Sequence, residues 1–169
     1  LWDKHHLTHA AGAFYNSGFK ETLSFVFDGA GSLNPNDTNT AEATSCFYFS
    51  YPANYTTIFA IYADRLYANG QKLKFDYKNS LGYFYHKITF HLGLGDEYTS
   101  HFTAGKTMGL SSYGKRLDID WDKFFEGNNE LYDLSKNMKD FKTAANVAHT
   151  LQCDTQDFVL NKINETVKK

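Results

Sequence analysis

The chain has 169 residues, 42% of them hydrophobic and 17% aromatic, with 21% charged and a formal net charge of −2. That is the size of one modest domain with enough apolar material for a core, and no apolar run approaches the length of a membrane span. The near-neutral charge excludes the basic footprint of a nucleic-acid binder. Two distant cysteines, Cys46 and Cys153, exclude a disulfide framework and point to a reducing, cytoplasmic setting.

In chain order, residues 5–16 are expected to form a helix that places His5 and His9 at i and i+4, one turn apart on one face. His6 lies off that face. Residues 23–27 read as a buried strand with Asp28 at its tip, followed by the turn Asp28-Gly29-Ala30-Gly31. Residues 32–42 read as a polar loop rich in Asn and Thr. Residues 43–49 and 55–62 are β-branched and aromatic, so they are expected to be strands parted by a turn at Pro52 and paired in one sheet with the first strand.

Ser80 is placed as the N-cap of a helix whose apolar stripe is Leu81, Phe84, Tyr85, Ile88 and Leu92, with Gly93 and Gly95 stopping it. His86 and His91 are read as surface or packing residues. The stretch from Gly105 to Gly114 has two readings. Either it starts a helix with Met108 and Leu110 buried and Lys106 in solvent, or it is a loop in which Lys106 reaches a phosphate and Gly109 allows close approach. Residues 118–135 look like a turn around Gly127. Asp118, Asp120 and Asp122 lack the glycine and glutamate spacing of a calcium loop. A final helix from about Phe141 carries its core stripe at Ala144, Ala148, Leu151, Phe158 or Val159, and Ile163. The order is α/β, and no repeat or low-complexity linker marks a second domain.

Two imidazoles on one helical face can meet one metal ion. With Asp28 as a carboxylate, the donor set leaves coordination positions open, as a working site requires rather than a structural one. Such a set suits Fe(II), with Zn, Mn and Mg as other divalent candidates. Gly29 and Gly31 permit close backbone approach, and successive amides in such a turn can cradle phosphate.

Three blocks carry a family resemblance. The run from His5 to Phe14 with Ser17-Gly18-Phe19 and Phe27 to Gly31, the run Gly105-Lys106-Thr107-Met108-Gly109-Leu110-Ser111-Ser112-Tyr113-Gly114, and the run from Thr143 to Gln152 together resemble the O-carbamoyltransferases, which carbamoylate nodulation factors and antibiotics. The resemblance implies the actin/Hsp70/sugar-kinase type of fold, ribonuclease H-like, with a mixed sheet and flanking helices. It implies an iron-type metal on His5, His9 and Asp28, with a further aspartate ligand beyond Lys169. It also implies that a separate YrdC-like domain makes carbamoyl-adenylate from carbamoyl phosphate and ATP, and that the metal domain passes the carbamoyl group to a hydroxyl of a small acceptor.

On that resemblance, Asp28, Gly29, Gly31, Lys106 and Gly109 are expected to hold the nucleotide or phosphate portion, which favours the loop reading of Gly105–Gly114. His6 is assigned to the catalytic machinery through substrate contact or support of the ligands. Residues 1–169 are then expected to be a single partial domain, an internal piece of the N-terminal metal domain. Two alternatives stand beside this reading: a threonylcarbamoyl-type tRNA-modifying protein, and a non-catalytic nucleotide- or metal-binding fragment. Neither a membrane nor a nucleic acid is expected as a partner.

Overall fold

The computed structural model describes residues 4–65, 67–68, 71–72, 78–96, 99–100 and 102–168. It divides into two compact units, Leu1–Phe84 and Tyr85–Lys169. The first holds α1 (His5–Ser17), β1 (Glu21–Phe27), β2 (Leu33–Asn34), β3 (Asp37–Ser50), β4 (Asn54–Asp64) and a small hairpin of β5 (Tyr67–Ala68) and β6 (Gln71–Lys72). Helix α2 (Leu81–His91) starts in the first unit. The second unit holds α3 (Ala104–Ser111), α4 (Trp121–Glu126), α5 (Glu130–Ser135) and α6 (Phe141–Val167).

The first unit is built around β3. β1 pairs with it antiparallel from Glu21 opposite Ser50 to Phe27 opposite Thr44. β4 pairs along its other side, from Asn54 opposite Ser50 to Asp64 opposite Thr40. Helix α1 lies on this sheet because its buried residues, His6, Ala10 and Phe14, recur every fourth position and make one stripe. Ala10 and Phe14 join Val26, Phe47 and Phe49 in a single core, where the Phe14 and Phe49 rings stack with centroids 5.1 Å apart. Gly18, in the left-handed region at φ 75°, ends the helix and turns the chain into β1.

The expected strands pair in one sheet, but residues 32–42 are not a loop. They supply β2 and the start of β3, which pair through Leu33 opposite Ala41. The Thr side chains suit a pleated strand, and polar side chains complete the hairpin: Asn34 donates to Thr40 Oγ1 at 3.1 Å and Asp37 accepts from the Asn39 amide at 3.0 Å. Hydrophobic periodicity cannot see a strand stabilised in this way.

In the second unit, α6 starts on Asp140, whose carboxylate accepts from the Thr143 amide at 2.7 Å. Its Ala144, Ala148 and Leu151 are fully buried as expected, while Phe158, Val159 and Ile163 are half-buried. Small residues there let α3 and the following turn come close: a Cβ on Gly114 would run into the Ala145 carbonyl. The segment expected as a phosphate loop is mostly helix α3, with Leu110 buried but Met108 half-exposed. Residues 118–135 contain two short helices, each opened by an Asx cap, Asp120 to the Lys123 amide and Asn129 to the Tyr132 amide. His86 and His91 are packing residues, both buried. Among the described residues no helix is long and apolar enough to cross a membrane.

Candidate metal centre

The stripe that docks α1 on the sheet fixes where its other residues point. With His6, Ala10 and Phe14 facing inward, His5 and His9 stand one position earlier, rotated about 100° toward the edge of the sheet where β1 ends. Asp28 sits at that end. Its own backbone is held by the sheet, with its amide donating to the Ala43 carbonyl at 3.0 Å.

The carboxylate is oriented by division of labour between its oxygens. Oδ1 accepts from the Gly29 amide at 2.6 Å. Oδ2 is thereby turned to His5 Nε2, at 2.9 Å, and lies 3.9 Å from His9 Nε2. The two imidazole nitrogens are 3.1 Å apart. The point equidistant from these three atoms lies about 2.0 Å from each, inside the range of roughly 2.0–2.2 Å at which nitrogen and oxygen bind divalent metals. Which of the three atoms donates to which depends on the histidine tautomers, whereas one cation at that point would take a lone pair from each. The donor chemistry fits a divalent ion. His5 and Asp28 are part-buried and His9 is 58% exposed, so the centre opens to solvent on the His9 side. Among the described residues these three form the one group of histidine, cysteine or carboxylate side chains close enough to share an ion.

The turn around Asp28 is clamped from two directions. The His5 amide, at the helix start, donates to Ser32 Oγ at 3.0 Å, tying the ligand helix to the far side of the turn. Ser80 Oγ donates to the Gly29 carbonyl at 3.0 Å, lies 3.3 Å from the Asp28 carbonyl, and accepts from the Tyr83 amide at 3.2 Å. Ser80 therefore caps α2 as expected and also fastens the carboxylate-bearing turn to it. Gly82 allows the approach, because a Cβ there would overlap Gly29 Cα and N. Neither the Ser80 clamp nor Gly82 was part of the sequence reading. A glycine in the first turn of a helix was the available signal, since it costs about 1 kcal/mol there unless packing requires it.

Of the remaining candidates, His6 is fully buried, with Nδ1 2.8 Å from Ser45 Oγ and 4.0 Å from Glu42 Oε2. Its Nε2 has no hydrogen-bond partner. Burial pushes its pKa down, opposed by the nearby Glu42 and Asp28 carboxylates. Gly31 covers the ring, for a Cβ there would stand 2.5 Å from His6 Cδ2. Lys106 and Gly109 belong to the second unit. Lys106 is exposed on α3 and donates to the Leu94 carbonyl at 3.3 Å, and a Cβ on Gly109 would meet nothing within 4 Å.

The family model described as Carbamoyltransferase N-terminus matches residues 1–166. The chain belongs to this family. It is also 31% identical over 132 residues to the nodulation protein NolO of Bradyrhizobium diazoefficiens. That match takes in 77% of the chain and 18% of the relative, so the chain spans less than a fifth of the length of the curated relative it matches. No solved structure matches the chain.

Proposed function

We propose that this chain carries the metal-binding part of an O-carbamoyltransferase that moves a carbamoyl group to a hydroxyl of a small-molecule acceptor. Convergence of His5, His9 and Asp28 on one point at metal-bonding distance carries the reading, and family membership supplies the chemistry. A divalent ion there, Fe(II) first among candidates, would polarise the carbamoyl carbonyl or acidify the acceptor hydroxyl.

The chain's own part is to hold that constellation before substrate arrives. α1 fixes two imidazoles, the Gly29 amide fixes the carboxylate, and the exposed His9 side leaves room for ligands. In this proposal the donor is carbamoyl-adenylate, made from carbamoyl phosphate and ATP by a YrdC-like domain. Its phosphate portion falls to the Lys106 ammonium, and not to Asp28, Gly29 or Gly31 as expected, because those three amides already donate to the Ala43 carbonyl, the Asp28 carboxylate and the Glu42 carbonyl. Gly109 is read with Lys106 as leaving the approach to the ammonium open, in a place where a Cβ would meet nothing within 4 Å. The helix-on-antiparallel-sheet arrangement of the first unit is read as part of an actin/Hsp70/sugar-kinase-like domain. The two free cysteines suit a cytoplasmic setting.

Anaerobic titration with Fe(II) tests the core of this. The parent chain should take up one ion and His9→Ala should not. Equal binding by the two chains would sink the metal assignment. Supplied with carbamoyl-adenylate and a hydroxylated acceptor, the full-length enzyme should form product only when His9 is intact.

A further inference from the structure

His6 differs from its neighbours in a way the metal centre does not require. It is the only histidine of α1 that is wholly buried, it ends in a nitrogen without a partner, and it lies beneath a glycine. A leucine would fill an apolar site on a helix more cheaply, because an unpaired buried polar atom costs free energy. The hydrogen bond on the opposite nitrogen is what a leucine could not make.

We propose that His6 is a positioning residue: seated in the space left by Gly31 and hydrogen-bonded to Ser45, its ring sets the rotation of α1 that brings His5 and His9 onto Asp28. Three observations fit together. The hydrogen bond from His6 Nδ1 to Ser45 Oγ, 2.8 Å, joins α1 to the central strand across 39 residues of sequence and resists rotation of the helix about its axis, which apolar contacts alone resist weakly. Glu42 Oε2, 4.0 Å from the same nitrogen, favours the tautomer with hydrogen on Nδ1, so that Ser45 accepts and the unpaired Nε2 is a bare lone pair rather than a stranded N–H. Glu42 is itself held by the Ser32 amide at 3.2 Å, and Ser32 Oγ receives the His5 amide. Helix, strand and turn thus close a ring of contacts around one imidazole.

Gly31 is the fourth side of that seat. A side chain there would stand 2.7 Å from His6 Nε2 and 3.0 Å from Glu42 Cβ. It would push the ring toward Ser45 and turn the helix. The Gly31 amide itself donates to the Glu42 carbonyl at 2.6 Å, so what this position adds to the seat is the missing Cβ.

The inference rests on the metal reading for its purpose but not for its test, which has one metal-free arm. In the metal-free chain, imidazole proton NMR should show a His5–His9 ring contact in the parent that weakens in Ser45→Ala and Gly31→Ala and returns in Ser45→Thr, which keeps the hydroxyl. In the second arm, Co(II) titration should show binding weakened about tenfold in Ser45→Ala and Gly31→Ala, with an altered visible spectrum, and restored in Ser45→Thr. Gly31→Ala should add little in a His6→Ala background, because its damage passes through the missing ring. If the variants keep the parent ring contact, affinity and spectrum, or if Gly31→Ala costs as much without His6 as with it, the positioning role is overturned. If the ring contact moves as expected while the parent takes up no Co(II), the positioning role stands and the metal reading falls.

Discussion

At the residue scale the centre depends on one carboxylate whose two oxygens have different work. Asp28→Asn keeps an oxygen for the Gly29 amide but puts an uncharged group opposite the imidazoles. The expected result is an unfolding midpoint close to that of the parent with metal affinity lowered on the order of a hundredfold or more, since losing an outer-shell partner alone costs about 10–100-fold. Calorimetric titration against urea unfolding separates the two effects, and a large loss of fold stability would contradict the assigned roles. His5, His9 and Asp28 were legible in the sequence because helical spacing and a strand-ending Asp-Gly are local signals. Ser45, Glu42 and Ser32 were not, because what makes them matter is contact across 27 to 39 positions of chain. His6 was legible only in part: helical geometry turned it off the ligand face, and burial decided what it meets there.

At the element scale, α2 ties its two ends to very different surroundings. At its start, Gly82 lets the helix abut the Gly29 backbone. Gly82→Ala should overpack that contact, costing about 1–3 kcal/mol of stability and displacing Asp28, so that metal affinity falls together with the urea midpoint. At its end, His91 is buried with Nε2 2.8 Å from Ser135 Oγ and its ring against Phe124 and Tyr132. Burial, with the Lys136 charge adding to it, lowers its pKa from 6.5 to about 4. A folded pKa below the unfolded one means the unfolded chain takes up the proton. The contribution is therefore intact above pH 6.5 and lost progressively as pH falls toward 4, reaching about 3 kcal/mol. Urea midpoints measured from pH 7 to pH 4.5 should fall for the parent and much less for His91→Gln; parallel curves would refute this. The elements themselves were mostly visible in advance, with ends within a few residues. The exceptions are β2 and the start of β3, held by polar side chains, α4 and α5, opened by Asx caps in a stretch read as a turn, and α3, where the family resemblance favoured a loop over a helix start.

At the scale of the whole chain, the three metal ligands proposed on this chain and the groups that orient them lie in the Leu1–Phe84 unit. A ligand that binds only the folded state stabilises it by mass action, by about 2.7 kcal/mol at a hundred times its dissociation constant. Hydrogen exchange with and without metal should therefore show the added protection concentrated in α1, β1 and β3. Protection gained chiefly in α6 would place the ion elsewhere. Family membership spans nearly all of the chain, yet most of the length of its curated relative lies outside the match.

The Ser80 clamp also has a consequence for the order in which the protein is made. The donor residues precede the serine along the chain, with His5 and Asp28 only 23 positions apart. The serine that fastens the aspartate's turn follows 52 positions later, after the whole sheet. Closing the longer loop adds less than about 1 kcal/mol of chain entropy, because that penalty grows only with the logarithm of length. Time is the larger difference: at about 5–20 residues per second the ribosome needs several seconds to pass from one to the other. A nascent chain thus carries its three candidate donors, tied through Ser32 and the sheet, before Ser80 emerges, and an ion captured that early would meet a turn held from one side only.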